Sequence, residues 1–288
     1  MDFAVVILIQ LLYAAASLAL VGVGLAVIYA MMRVINLAHG EFLMLGGYAT
    51  IVANGLGVDL FLAMLVVAPV VVGLIGLVVE RLVIRFLYGR MLDTMLASWG
   101  LSLLLIGLVS TLFGNTTRGL SAPLGSVAIG DYRESLYTLF VIGLTGVVML
   151  ALFLGLKLTR LGLIARGTMD DPAMAAALGI NPDRVYAATF ALGAALSGLA
   201  GAVLAPVAGV VPTMGVAYIA KAFITVISAG ASVVPGLAGA AGLLGAVNGL
   251  ANLVATPVIG EVALLAAAIL LLRLLPEGLA GRWRWLKP

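Results

Sequence analysis

Long uncharged runs separated by short charged breaks set the plan of this chain. Residues 60–79, 94–113, 135–156, 185–206 and 261–275 are apolar runs, read as spanning helices of about 20 residues each, the last completing a longer one. Residues 3–32 form a longer uncharged run, which predicts a span that tilts or extends beyond the lipid. It lacks a basic start and is too long for a signal-peptide core, so it reads as a retained first span. Residues 42–53 are apolar but too short to cross comfortably. From 207 to 260 the chain stays apolar but is cut by Pro212, Pro235, Pro257 and many glycines. That pattern predicts broken or re-entrant helices, tolerated only where they are buried in protein or line a cavity.

The central segment 157–184 interrupts this pattern most strongly. It holds Lys157, Arg160, Arg166, Asp170, Asp171, Asp183 and Arg184, whose hydration keeps the segment outside the bilayer. Asp171 can cap a helix, Pro172 suits its first turn, residues 173–178 propagate it and Gly179 can end it. Asn181-Pro182 repeats the cap-plus-proline signal before the next span. A helix so short is marginal in isolation, so its apolar face (Met174, Ala175, Leu178) needs a docking surface. That surface is either the protein itself or a partner.

Composition turns these runs into a class. With 64% hydrophobic and 9% charged residues, against about 25% charged in soluble domains, the chain is an integral membrane protein. The fold expected is an all-α polytopic bundle of about 8 spans, treated as one transmembrane domain over residues 1–288. Unbroken apolar runs exclude a β-barrel, whose strands alternate. Cysteine is absent and His39 is the only histidine, which removes disulfides and histidine-cluster metal sites. Basic residues at 81–90, in 157–184, and at Arg273, Arg282, Arg284 and Lys287 mark the cytoplasmic side. The balanced loop 114–134 then faces out, while the side of the N terminus stays open.

Thirty-six glycines predict close helix packing. Gly193, Ser197 and Gly201 share one helical face, as do Gly245 and Gly249. Polar groups inside the apolar runs are the candidate pathway: Asn36, His39, Glu41, Ser98, Trp99 and Asn248. His39 and Glu41 could shuttle protons, or form a structural knot that satisfies backbone groups freed at a helix break. Ser98 and Ser102 could line a path with Trp99, although a tryptophan near a span's end also anchors at the interface. Lys221 and Glu261 stand as isolated charges, Lys221 positioned to snorkel. No nucleotide-binding loop, zinc-protease motif or nucleophile elbow occurs, so enzymatic chemistry is unsupported. The energy for any transport comes from a partner or an ion gradient.

Three motifs in order resemble one family. VINLAHGEFLMLGGYAT, GLVVERLVIRFLYGR and TRLGLIARGTMDDPAMAAALGINPDR are similar to blocks of the permease subunits of bacterial branched-chain amino acid ABC importers. LYGRMLDTMLASWGLSLLL is closer to members importing urea or short amides. The segment KAFITVISAGASVVPG has lost some of the glycine repetition expected of that family. The resemblance implies a coupling helix over 171–179 that docks on an ATPase subunit, with Arg160, Gly162, Asp170, Asp171, Met174, Ala175, Leu178 and Gly179 serving the coupling. It implies a second permease subunit (homologous or identical), two cytoplasmic ATPase subunits and an extracytoplasmic solute-binding protein as partners. No cofactor is expected in this chain, ATP and magnesium belonging to the ATPase subunits, and no nucleic acid. The location implied is the bacterial inner membrane, multi-pass and surrounded by lipid. The competing readings are an ion-coupled secondary transporter, with Glu41 and Glu261 as its carboxylates, and a passive channel.

Overall fold

The computed structural model describes residues 2–230 and 232–284. Lys287 of the basic tail lies outside them, as do the side chains of Arg282 and Arg284. The helices are α1 (Asp2–Met32), α2 (His39–Gly55), α3 (Leu60–Leu82), α4 (Met91–Phe113), α5 (Leu136–Leu158), α6 (Arg160–Asp170), α7 (Pro172–Ala177), α8 (Pro182–Ala208), α9 (Met214–Ala229), α10 (Val234–Val254), α11 (Pro257–Leu274) and α12 (Gly278–Arg284). Seven described helices are long and apolar enough to cross a membrane, and α9 is a shorter apolar one. The polytopic all-α expectation therefore holds.

One addition to it is a β-hairpin in the α4–α5 loop, pairing β1 (Ser126–Ile129) with β2 (Tyr132–Ser135). Gly130 opens its two-residue turn at φ +58°, where a side chain would be strained.

Local chemistry explains the boundaries. Asp59 caps α3 by accepting from the Phe61 and Leu62 amides at 3.0 and 3.1 Å. Inside α3, Ala63–Val67 forms a π-helical turn just before Pro69. Proline lacks an amide donor and its ring crowds the carbonyl four residues back, so the helix widens there.

The chain falls into two compact units, Met1–Gly22 with Ala122–Leu150 and Lys221–Pro288, and Val23–Ser121 with Ala151–Ala220. In the first, Leu18 and Ala19 of α1 pack on Ala241 and Leu244 of α10 and on Leu264 and Ala268 of α11. Gly245 and Gly249 let α10 approach α1 at Ala15 and Leu11. The start of α1 docks on the hairpin: Gln10 donates to Glu134 at 2.9 Å, and the Phe3 and Tyr132 rings lie 5.8 Å apart. The start of α1 thus lies at the hairpin end of this unit.

In the second unit, α8 is the central post. Ile28, Phe42, Val72, Val79, Phe190 and Ala194 form one core cluster, with Phe42 edge-on to Phe190 at 5.9 Å. The face predicted from Gly193, Ser197 and Gly201 takes two neighbours. Gly24 of α1 abuts Gly193 and Ser197, while on α2 Gly46 meets Gly198 and Leu43 meets Gly201, backbone against backbone. Such approaches suit a membrane interior, where association rests on van der Waals contact.

Candidate translocation site and coupling segment

Residues 33–38 break the path between α1 and α2, and the polar candidates gather around this break. Asn36 is fully buried and its Oδ1 accepts from the Ala38 amide at 3.0 Å. Ser98 of α4 accepts from the Leu37 amide at 3.0 Å and donates to the Met95 carbonyl. Freed backbone donors are thus satisfied by Asn36 and Ser98.

His39 and Glu41 have other partners. Ser197 of α8 lies 3.3 Å from either ring nitrogen of His39, while the Ser102 hydroxyl of α4 donates to Glu41 at 2.7 Å. In these contacts His39 meets α8 and Glu41 meets α4, while the amides freed at the break are accepted by Asn36 and Ser98. Glu41 also leans over the Gly215 backbone at the start of α9, where Gly40 and Gly215 touch. Among the described residues its Oε2 finds no hydrogen-bond partner, nor does the Asn36 Nδ2. The site therefore offers one buried acceptor and one buried donor that the protein leaves unmatched, a costly condition unless something polar visits.

Two pathway candidates stand elsewhere. Trp99 is 55% exposed on the same outward stripe of α4 as Leu92, Leu96 and Leu103, whereas Ser98 is buried. Asn248 belongs to the first unit, where its Oδ1 accepts from Asn252 at 3.2 Å. Lys221 and Glu261, expected as isolated charges, form an ion pair at 2.6 Å.

The coupling segment follows its predicted punctuation closely. Asp171 caps α7 by accepting from the Ala173 and Met174 amides, both at 2.9 Å. Gly179 sits at φ +85°, and Asn181 caps α8 by accepting from Arg184. The expected apolar face is corrected at one position. Met174 and Leu178 are 58% and 74% exposed, whereas Ala175 is buried, packed on the protein's own side. The helix α6 is an addition to the predicted elements. Thr159 caps it by accepting from the Gly162 amide at 3.0 Å, and Gly162 lies hard against the Gly155 and Leu156 carbonyls at the end of α5. Only a residue without a side chain allows that reversal. Arg160 and Asp170 are exposed at the two ends of α6, beside the exposed Leu161 and Leu163.

A second polar knot lies where α3 meets α4, and nothing in the pattern of apolar runs marks it. Glu80 is buried and accepts a very short hydrogen bond from the Tyr88 hydroxyl. Burial, reinforced by Glu80 and then by Asp183 and Tyr186, pushes the Tyr88 phenol well above its ordinary pKa. The Tyr88 ring stands edge-on to Tyr186 of α8 at 5.1 Å.

Comparison with known proteins agrees with this architecture. Residues 7–275 match the family described as branched-chain amino acid transport system, permease component. The high-affinity branched-chain amino acid transport system permease protein LivH of Escherichia coli is 30% identical, covering 92% of this chain and 91% of its own. The corresponding protein BraD of Pseudomonas aeruginosa is 31% identical with the same coverage. A probable branched-chain amino acid transport permease protein LivH of Methanocaldococcus jannaschii is 28% identical, covering 94% and 90%. Among solved structures, PsaBC from Streptococcus pneumoniae in complex with Fab shares the fold with a TM-score of 0.51 at 14% identity, covering 92% and 91% of the two chains. With its apolar spans, this is a multi-pass inner-membrane transport subunit. The chain belongs to the family of branched-chain amino acid transport system permease components.

Proposed function

We propose that this chain forms the translocation path of an ATP-driven importer of branched-chain amino acids, and passes the energy of partner ATPases to that path. The single observation that carries the reading is α7, which is capped at both ends and buries Ala175 while presenting Met174 and Leu178 outward. Two large apolar side chains on a hydrated segment ask for a protein groove. ATP and magnesium then act in two cytoplasmic ATPase subunits, a second permease subunit completes the path, and an extracytoplasmic protein delivers the solute. Asn36 and Ser98 supply neutral hydrogen-bonding groups to the path, with Glu41 beside them held by the Ser102 hydroxyl.

An ion-coupled carrier is less well supported, because Glu41 is engaged by Ser102 and Glu261 by Lys221. The test is uptake of labelled leucine into vesicles holding the permease, ATPase subunits and binding protein. ATP-dependent uptake is expected, with leucine and valine competing and urea or acetamide not. Uptake driven by an ion gradient alone would refute the proposal, and competition by urea would move the solute class to small amides.

A further inference from the structure

The pair Lys221–Glu261 sits in an unusual place. Lys221 lies in the middle of α9, seven residues after Met214 and eight before Ala229, so about 10 Å of helix flanks it on either side. Glu261 lies near the start of α11, which opens at Pro257. Their neighbours on these helices are apolar: Ile227, Val258, Val262 and Leu265 are all exposed. Yet the two charged side chains are themselves 30% and 57% exposed. Charged side chains among the apolar residues of membrane helices rarely face lipid and usually mark a watery path or a site. A second polar pair adjoins it. Asn252 donates to Asn248 at 3.2 Å, and both press on Gly260, the residue before Glu261.

Resting on the transport reading above, we propose that Lys221 and Glu261 form a zwitterion subsite, which the two side chains occupy themselves when no solute is present. An amino acid carries one carboxylate and one ammonium, the same two charges that the closed pair joins. Opening the pair around such a solute exchanges one ion pair for two: Lys221 takes the solute carboxylate and Glu261 takes its ammonium. No net charge enters or leaves the site, so the desolvation penalty that opposes a lone ion is offset at each stage. A cation or an anion leaves one member of the pair unmatched, and an uncharged amide lacks the charges to part them. Asn248 and Asn252, packed on the neighbouring Gly260, add neutral hydrogen-bonding groups on the same stretch of helix.

Two double variants separate this role from a structural one. Replacing a merely structural ion pair by apolar residues is commonly neutral or stabilising, so K221M/E261M would then keep its transport. The charge swap K221E/E261K would likewise preserve a structural pair. A solute subsite loses both charges in the first variant and presents them in reversed order in the second. ATP-driven leucine uptake, with ATPase subunits and saturating binding protein, is expected to fall at least tenfold in both, although each variant still co-purifies with the ATPase subunits. Uptake within twofold of the unmodified protein in either one overturns the subsite. If a double variant fails to assemble, E261Q, which keeps a polar group and removes the charge, is held to the same tenfold criterion. Failure of the transport reading is distinguishable: the unmodified protein would then show no ATP-driven leucine uptake at all.

Discussion

Arg85 reaches across from the α3–α4 turn to Asp183 at the foot of α8, with 3.0 Å between guanidinium and carboxylate. Asp183 lies a few residues beyond the coupling helix, so this pair ties the foot of α8 to the α3–α4 turn. Both side chains are about half exposed, which limits the pair to about 1 kcal/mol or less. A double-mutant cycle on R85A and D183A, read by thermal unfolding in detergent, is expected to return a small favourable coupling. A value of zero would make the contact an accident of the surface.

Tyr88 and Glu80 form the deeper tie. Y88F removes the donor from a fully buried carboxylate, and leaving such a group unmatched costs about 1–3 kcal/mol. The melting temperature should fall, whereas E80Q, which can still accept from Tyr88, should fall less. The raised phenol pKa also sets a pH dependence. The folded state holds Tyr88 protonated, so its contribution is intact below the unfolded value of about 10 and drains away as pH climbs above it. Melting curves at alkaline pH should show this loss in the unmodified protein and a weaker loss in Y88F.

The helix crossings make a sharper contrast. G46A and G201A would drive a methyl into facing backbone, and forcing extra atoms into a packed interior costs about 1–3 kcal/mol or more. G146A and G107A have nothing near them to strike and should leave stability unchanged. If all four behave alike in a thermal-shift assay, the α2–α8 contact is looser than these close approaches imply.

On α7, M174E and L178E should abolish solute-stimulated ATP hydrolysis while the protein still inserts, because both residues face outward. A175E should instead disturb the segment itself, raising its sensitivity to protease, because Ala175 is buried. A bulky residue at Gly179 adds strain of about 1–2 kcal/mol from its positive φ. Normal stimulation in both glutamate variants would reduce α7 to packing.

The parts legible in the sequence are those decided within a few residues. Caps at Asp171 and Asn181, the left-handed Gly179 and the long apolar runs depend on local rules, and each stands where those rules put it. The glycine faces at 193–201 and 245–249 were equally readable, though not their partners. Contacts between distant positions escaped. Lys221 meets Glu261 forty residues on, and His39 meets Ser197 across 158; only the packed helices bring them together. Ala175 was misplaced for a related reason, since an alanine is too small for periodicity to show which of two surfaces it favours. The helix α6 escaped because its charges read as loop, while Thr159 and Gly162 mark its start only once the reversal at the end of α5 is known.

The widened turn at Ala63–Val67 bears on how this span tolerates changes of length. Beyond it, Gly73 and Gly76 face Ala195 and Ala194 of α8, and each residue lost from a regular helix rotates the remainder of that helix by about 100°. A deletion within the widened turn can be taken up by tightening it to an ordinary pitch, leaving those glycines aimed as before. The same deletion after Pro69 has no slack to draw on and would swing them away from their neighbours.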